Sequence, residues 1–233
     1  MDYDSLCSNL FIDLETELRN RLDELAALEN IYSLSGSERY AGVFYKSQII
    51  LLYAHFEGYC KRTLLLYVNY INNLNLTVSD VKDGLAATNL YRDFGLLFDT
   101  KHAPVSLSDR ALKEDRVLQK FGRRREFVGQ YRRHLSKQVS IPDTVIDTES
   151  NLKSHVLKKL LFILEIDHTI VDDFATDVNE LLNKRNAYAH GDISRLPEKQ
   201  EVERYKSKTV QLMTVVKDAI YKGFSEKHYL KAV

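Results

Sequence analysis

Residues that interrupt helices are scarce in this sequence. The 233 residues include only 3 prolines and 9 glycines, which favours long uninterrupted helices over a loop-rich β architecture. Cysteine is also scarce, since Cys7 and Cys60 are the only two and lie in separate segments. They form no CxxC or Cys/His cluster, so we expect neither a structural zinc site nor any other metal or cofactor. Free thiols suit a reducing compartment, which predicts a cytoplasmic protein.

The sequence also has no long apolar run. An apolar stretch at residues 49–54 is far too short to span a bilayer. The N-terminal residues Met1 to Asp4 are acidic and lack the basic start of a secretory signal. We therefore expect no membrane partner. Hydrophobic residues nevertheless make up 44% of the chain, which is enough to build one good core.

Neither sign of charge is in excess overall, because Lys+Arg and Asp+Glu number 33 each. The two signs are sorted along the chain, however. Residues 1–40 contain nine acids and three bases, whereas residues 110–137 contain ten Lys/Arg and three acids. The basic segment is either an ordinary solvated helix face or a surface that binds RNA phosphates. The candidate RNA-binding residues are Arg123, Arg124, Arg125, Arg132 and Arg133.

Apolar residues recur every three to four positions through most of the chain, which predicts amphipathic helices. The predicted helices span residues 5–32, 41–72, 150–165, 170–190 and 197–224. The second of them is apolar around most of its circumference, so we expect it to be central and buried by several neighbours. The resulting architecture is an all-α bundle.

Several helix ends carry capping or terminating residues. Gly191 should end the fourth predicted helix, and Pro197 should open the last one. Ser150 or Asn151 should cap the start of the third. These signals predict where the helices in the last third of the chain begin and end.

The segment 76–147 is the least regular part of the sequence, because glycines and prolines fall throughout it. Short helices are predicted at about 78–86 and 108–135. We interpret residues 1–233 as a single domain in which this irregular, partly helical basic segment is an insertion on the bundle.

The fourth predicted helix changes the chemistry of its buried face near its C-terminus. An α-helix turns about 100° per residue, so Arg185 falls within about 20° of Val178, the centre of the apolar stripe. A guanidinium there is costly unless it pairs with an acid or lines a wet cleft. Glu57 is the candidate acid, because it lies in the most apolar helix and itself needs a cation. Asn186 and His190 are four residues apart and share the edge of the stripe.

These residues suit the cleavage of RNA without a metal ion. The 2′-hydroxyl attacks the adjacent phosphorus and the 5′-oxygen leaves, which requires proton transfer and cations around the phosphoryl oxygens. His190 can exchange protons near neutral pH, Arg185 can donate two hydrogen bonds to a phosphate, and Asn186 can orient the imidazole or the substrate. Spacing alone leaves another interpretation open, in which Arg185 and Glu57 form a structural ion pair without chemistry. Tyr188, about 60° from Arg185 around the helix, either packs or contacts substrate.

Three blocks of the sequence resemble the HEPN superfamily. Residues 185–191, with the sequence RNAYAHG, match its motif of Arg, a polar residue and a following His on the C-terminal part of a bundle helix. Residues 52–59 and 146–154 are similar to corresponding parts of the MAE-like branch of prokaryotic HEPN nucleases. The three blocks in this order are more specific than the short motif alone.

The resemblance implies an antiparallel α-helical bundle that forms a homodimer, with the two Arg–His motifs facing each other in a cleft. Many members are metal-independent ribonucleases of toxin–antitoxin, abortive-infection or other anti-phage systems. The resemblance therefore implies an RNA substrate and an antitoxin or defence-system protein as a further partner. It carries catalytic roles over to Arg185, Asn186 and His190, and a helper role, orienting Arg185, to Glu57.

Two points qualify what the resemblance implies. A subset of HEPN toxins has a tyrosine, modified by a partner nucleotidyltransferase, two residues after the histidine. Asp192 stands at that position here, so this form of regulation is not expected. The alternative function is a non-catalytic HEPN module that binds RNA, a nucleotide or a protein partner.

Overall fold

The computed structural model describes residues 2–35, 38–99, 104–105, 107, 115–192 and 195–232. Within these ranges the chain forms eight α-helices and no β-strand, which confirms the predicted all-α class. The helices are α1 (Tyr3–Ser35), α2 (Ala41–Asn72), α3 (Asp83–Asn89), α4 (Tyr91–Phe98), α5 (Arg116–Leu135), α6 (Ser154–Ile163), α7 (Ala175–Ala189) and α8 (Lys199–Ser225). Short 3-10 turns precede α2, α6 and α7 at Glu38–Tyr40, Asp143–Val145 and Thr169–Phe174.

Helix α2 is the centre of the bundle. It packs against α1, α7 and α8, and side chains all around it are buried, among them Ile49, Phe56 and Leu64. Each such side chain contributes about 1.5–3 kcal/mol on removal from water, so burial on three sides holds the helix firmly. The prediction that this helix is central is confirmed, and its bounds are those expected from the sequence.

Ion pairs show that α8 runs antiparallel to both α1 and α7. Glu29 near the end of α1 pairs with Lys206 near the start of α8 at 2.6 Å, whereas Glu15 near the start of α1 pairs with Lys217 near the end of α8. Helix α7 pairs with the start of α8 through Lys184 and Glu201 at 3.0 Å. The C-terminus of α7 therefore lies at the same end of the bundle as the α1–α2 connection.

Two helices start later than the sequence predicted. Helix α6 begins at Ser154 after Lys153, without a side-chain cap from Ser150 or Asn151. Instead Asn179 of α7 accepts a hydrogen bond from the Ser154 backbone N–H at 3.1 Å and donates one to the Ser154 hydroxyl at 2.9 Å. A tertiary contact thus replaces the local cap. The last helix likewise begins two residues after Pro197, at Lys199.

The segment 76–147 is partly helical, as predicted, but its first helix begins later than expected. Val81 makes an antiparallel bridge to Leu230, so the chain there is extended, and α3 starts only at Asp83. The described part of the predicted 108–135 helix is α5, which Asp115 caps; residues 108–114 lie outside the described residues. Both ends of the segment join the main core, through buried apolar side chains such as Val78 and Ile141.

No helix within the described ranges combines the length and the apolar character needed to cross a bilayer.

Candidate functional site

The end of α7 is fixed by a glycine in a left-handed conformation. Gly191 has φ +88°. Its N–H donates to the Tyr188 carbonyl at 3.2 Å, and the Asp192 N–H donates to the Ala187 carbonyl at 2.9 Å. This pair of bonds is the Schellman arrangement, which stops a helix and satisfies its last carbonyls. The predicted role of Gly191 is confirmed, and His190 becomes the capping residue of α7.

Arg185 is held by three groups that converge on its guanidinium. Its Nη2 lies 3.6 Å from Glu57 Oε2 on α2, and its Nη1 donates a 2.9 Å hydrogen bond to Asn186 Oδ1. Its Cζ lies 4.3 Å from the centre of the Tyr53 ring. The side chain is 23% exposed and Glu57 is 21% exposed. The ion pair expected from the sequence is therefore present, at the edge of the core and in contact with solvent.

Tyr53 is the residue of this site that sequence reasoning missed. It is fully buried, and burial raises its pKa to about 12, with the Glu57 carboxylate adding to the shift. The phenol is therefore neutral at physiological pH and presents its ring face to Arg185, a cation–π contact. The available signal was spacing, because Tyr53 and Glu57 are four residues apart and lie on the same side of α2.

His190 does not join this cluster within one chain. Its side chain is exposed, and in the described part of the chain no hydrogen bond reaches its imidazole, while its backbone N–H donates to the Asn186 carbonyl at 3.0 Å. Asn186 was expected to orient His190 or the substrate, but its side-chain oxygen is engaged by Arg185. The structure thus brings Glu57, Arg185 and Asn186 together and leaves the imidazole open to solvent beside them.

Tyr188 packs into the bundle. It is 4% exposed, and its hydroxyl donates to the Arg195 carbonyl at 3.2 Å. The Lys46 ammonium lies 5.7 Å from the centre of its ring. These contacts tie the segment after α7 to the start of α2, which is the packing alternative considered from the sequence.

One candidate arginine of the basic segment is buried. Arg123 is only 8% exposed and lies between α4 and α5 near Asp93 and Phe127. Helix periodicity explains this, because residues four apart lie on one face and Arg123 therefore shares the buried face with Phe127. Arg123 is thus not on the solvated face of α5, and its assignment to RNA binding stays a prediction. The arginines of α5 that are exposed are Arg124, Arg125, Arg132 and Arg133.

The described residues contain no group of three or more His, Cys, Asp or Glu side chains placed to hold a metal ion. The charged groups of α7 form ion pairs: Lys184 with Glu201, Arg185 with Glu57, and both Asp177 and Glu180 with Arg204. The groups of this site that can donate hydrogen bonds or move a proton are the Arg185 guanidinium, the Asn186 amide and the His190 imidazole.

Comparison with known proteins gives one match. The chain matches the family model described as RiboL-PSP-HEPN over residues 16–222, which include Glu57, Arg185, Asn186 and His190. Neither a curated protein nor a solved structure matches the chain. The matched range also includes the segment 76–147.

Proposed function

The chain belongs to the RiboL-PSP-HEPN family, and from this premise we propose that it is a metal-independent endoribonuclease. The observation that carries the proposal is the Arg185 guanidinium, which is held by its neighbours, remains accessible to solvent and lies five residues before the exposed His190. A purely structural Arg–Glu pair needs neither the exposed edge nor the neighbouring imidazole. The MAE-like branch suggested by the sequence blocks stays a prediction, since the match to the RiboL-PSP-HEPN model does not test it.

In the proposed reaction the RNA itself supplies the nucleophile. The 2′-oxygen bonds to the adjacent phosphorus, its proton passes to an imidazole, and the bond from phosphorus to the 5′-oxygen breaks. The departing oxygen takes a proton, so the products are a 2′,3′-cyclic phosphate and a 5′-hydroxyl. Arg185 donates hydrogen bonds to the phosphoryl oxygens, whose negative charge grows in the transition state. Glu57, Asn186 and Tyr53 hold the guanidinium in place, so little reorganisation is needed.

The reaction needs both a base and an acid, and one chain supplies one imidazole at this site. A homodimer that brings two copies of His190 and Arg185 into one cleft would supply both groups and a second cation. We therefore include a two-fold homodimer in the proposal. The role that fits such an enzyme is that of a toxin or anti-phage effector, restrained by an antitoxin or another protein of its defence system.

Incubation of the purified protein with total RNA in EDTA tests the reaction. Cleavage should persist, and end-group analysis should find 2′,3′-cyclic phosphates and 5′-hydroxyls. Cleavage that depends strictly on Mg²⁺ would overturn the metal-independent mechanism. Binding of RNA without any cleavage would replace it with the non-catalytic module that the family also allows.

A further inference from the structure

A cleft beside α6 contains none of the residues that take part in the proposed reaction. It has a volume of about 570 Å³ and lies between α3, α6 and the turn at residues 143–147. Its floor is formed by apolar groups such as Val145 and Ile163. This size and lining are typical of sites for small organic groups.

Two large aromatic side chains line the cleft and are mostly exposed. Tyr91, the first residue of α4, is 70% exposed, and Phe162 near the end of α6 is 65% exposed. Phe162 contacts the His168 ring edge-on, with 5.5 Å between the ring centroids, but both aromatic side chains stay largely exposed at a concave surface, which is typical of a binding site rather than a core. Their flat faces favour a planar ring as the ligand, because ring stacking adds to the burial of apolar area.

The polar side chains at the cleft select among planar rings. Asp147 Oδ1 accepts a hydrogen bond from the Glu149 N–H at 2.8 Å, and no described residue engages its second carboxylate oxygen. Lys159 pairs with Glu149, and both are about half exposed, so a ligand can compete for the ammonium. A carboxylate accepts N–H bonds and an ammonium donates to a carbonyl. A ring with adjacent N–H donors and a neighbouring carbonyl satisfies both, and among the nucleobases this is guanine.

The same connecting segment joins this cleft to the Arg185 site. It lines the cleft at Thr144 to Asp147 and continues to Leu152, whose backbone approaches the Tyr53 hydroxyl. The cleft and the Arg185 site thus share one connecting segment, along which an RNA strand would run to occupy both.

We propose that this cleft binds a guanine base, stacked against Tyr91 and Phe162 and recognised by Asp147 and Lys159. The base belongs either to an RNA strand that continues to the Arg185 site or to a free guanine nucleotide. The first of these alternatives rests on the proposed function. In the first case the cleft sets the sequence preference of cleavage. In the second it is a separate nucleotide site.

Binding assays that involve no cleavage test the inference independently of catalysis. Calorimetric titration with GMP, AMP, CMP and UMP should show preferential binding of GMP. A 2′-O-methyl oligonucleotide, which lacks the attacking hydroxyl, should bind more tightly when it contains guanine. Tyr91→Ala and Phe162→Ala should each weaken binding roughly 5- to 100-fold, the usual effect of removing a stacking partner. Phe98→Ala is the matched control, because Phe98 is also an exposed aromatic of α4 but does not line the cleft.

Asp147→Asn tests the recognition of the base edge. The amide oxygen can still accept the Glu149 N–H, so the turn should persist, but the side chain no longer offers two acceptors. The preference for GMP over AMP should fall by about tenfold or more.

The outcomes separate the two sources and the two proposals. Oligonucleotide binding that exceeds GMP binding indicates an RNA strand, and GMP binding alone indicates a free nucleotide. Absence of binding by either probe, or binding that Tyr91→Ala and Phe162→Ala leave unchanged, overturns the cleft assignment even if the protein cleaves RNA. Guanine binding without RNA cleavage leaves the cleft assignment standing and removes the proposed enzyme.

Discussion

Arg185 occupies a position that helix periodicity reserves for an apolar side chain. The structure shows how this is tolerated, because Tyr53 covers one face of the guanidinium while Glu57 and Asn186 engage its nitrogens. Such a residue is held as rigidly as a core side chain yet keeps an exposed edge. His190, in contrast, is restrained only through its backbone, so the two residues should respond differently to mutation.

The His190→Ala variant should lose cleavage and keep stability. If the imidazole moves protons in the reaction, its loss should lower the cleavage rate by roughly 10²–10⁴-fold. The side chain is exposed, so the thermal midpoint should stay close to that of the wild type. His155→Ala is the matched control, since His155 is also exposed and lies on α6, and it should cleave normally. Wild-type cleavage by His190→Ala would exclude His190 from the chemistry.

The Arg185→Ala variant should lose both cleavage and stability. Removing the guanidinium leaves Glu57 without its cation and Tyr53 without its stacked group. Because both charged side chains retain about a fifth of their exposure, we expect a cost of roughly 1–3 kcal/mol, below that of a fully buried pair. The measurement is the free energy of unfolding in urea together with the cleavage rate.

Two further variants separate the ion pair from the chemistry at Arg185. Glu57→Gln in the Arg185→Ala background should recover part of the lost stability without restoring cleavage, because it removes the stranded charge. Lys184→Ala breaks the ion pair that the adjacent residue of α7 makes with Glu201 on α8, so this variant should be destabilised yet active. Full cleavage by Arg185→Ala would show that the pair is structural only.

At the scale of elements, the sequence predicted helix bounds most reliably where a helix buries a continuous apolar stripe. The bounds of α2 and the end of α7 followed from apolar spacing and from Gly191. The start of α6 did not, because Asn179 from another helix supplies the cap, and no local pattern encodes a contact between distant segments. Tyr53 was missed for a related reason, since an aromatic residue in a core stripe has the same signature whether or not it stacks on a cation.

Helix α5 is the element on which RNA binding outside the site can be tested. Its exposed arginines lie on a face that turns away from α4, whereas Arg123 packs against that helix. Replacing Arg124 and Arg125 by Gln should weaken RNA binding. The log–log slope of affinity against salt should become shallower by about 0.7 for each phosphate that the protein no longer neutralises.

The control for α5 removes the same charge elsewhere. Lys222 and Lys227 are exposed at the C-terminal end of α8, at the other end of the bundle from His190. Replacing both by Gln should leave the salt slope unchanged. If the α5 replacements also leave the slope of affinity against salt unchanged, the exposed arginines of α5 are an ordinary solvated surface.

At the scale of the molecule, the antiparallel bundle gathers the candidate site at the end where α1 meets α2. Lys46 near the start of α2 approaches the Asp192 carbonyl at 3.5 Å, so α2 and the end of α7 share one surface. Two apolar side chains on this surface are exposed, Val43 at 64% and Leu196 at 47%. Leu196 lies against Gly42, which precedes Val43 on α2. An apolar patch beside a site that lacks a second imidazole fits a dimer contact.

A two-fold dimer through α7 and this patch is therefore the expected active form. Sedimentation should show a dimer, and Val43→Glu should shift it to monomer, because a two-fold contact would bury the new carboxylate against apolar groups. Cleavage should fall with the dimer fraction, since the monomer retains one imidazole where the reaction needs an acid and a base. Val128→Glu is the matched control, because Val128 is 72% exposed on α5 and its replacement should leave the dimer intact. A fully active monomer would show that one chain completes the site by itself. The prediction that the reaction requires a second His190 would then be wrong.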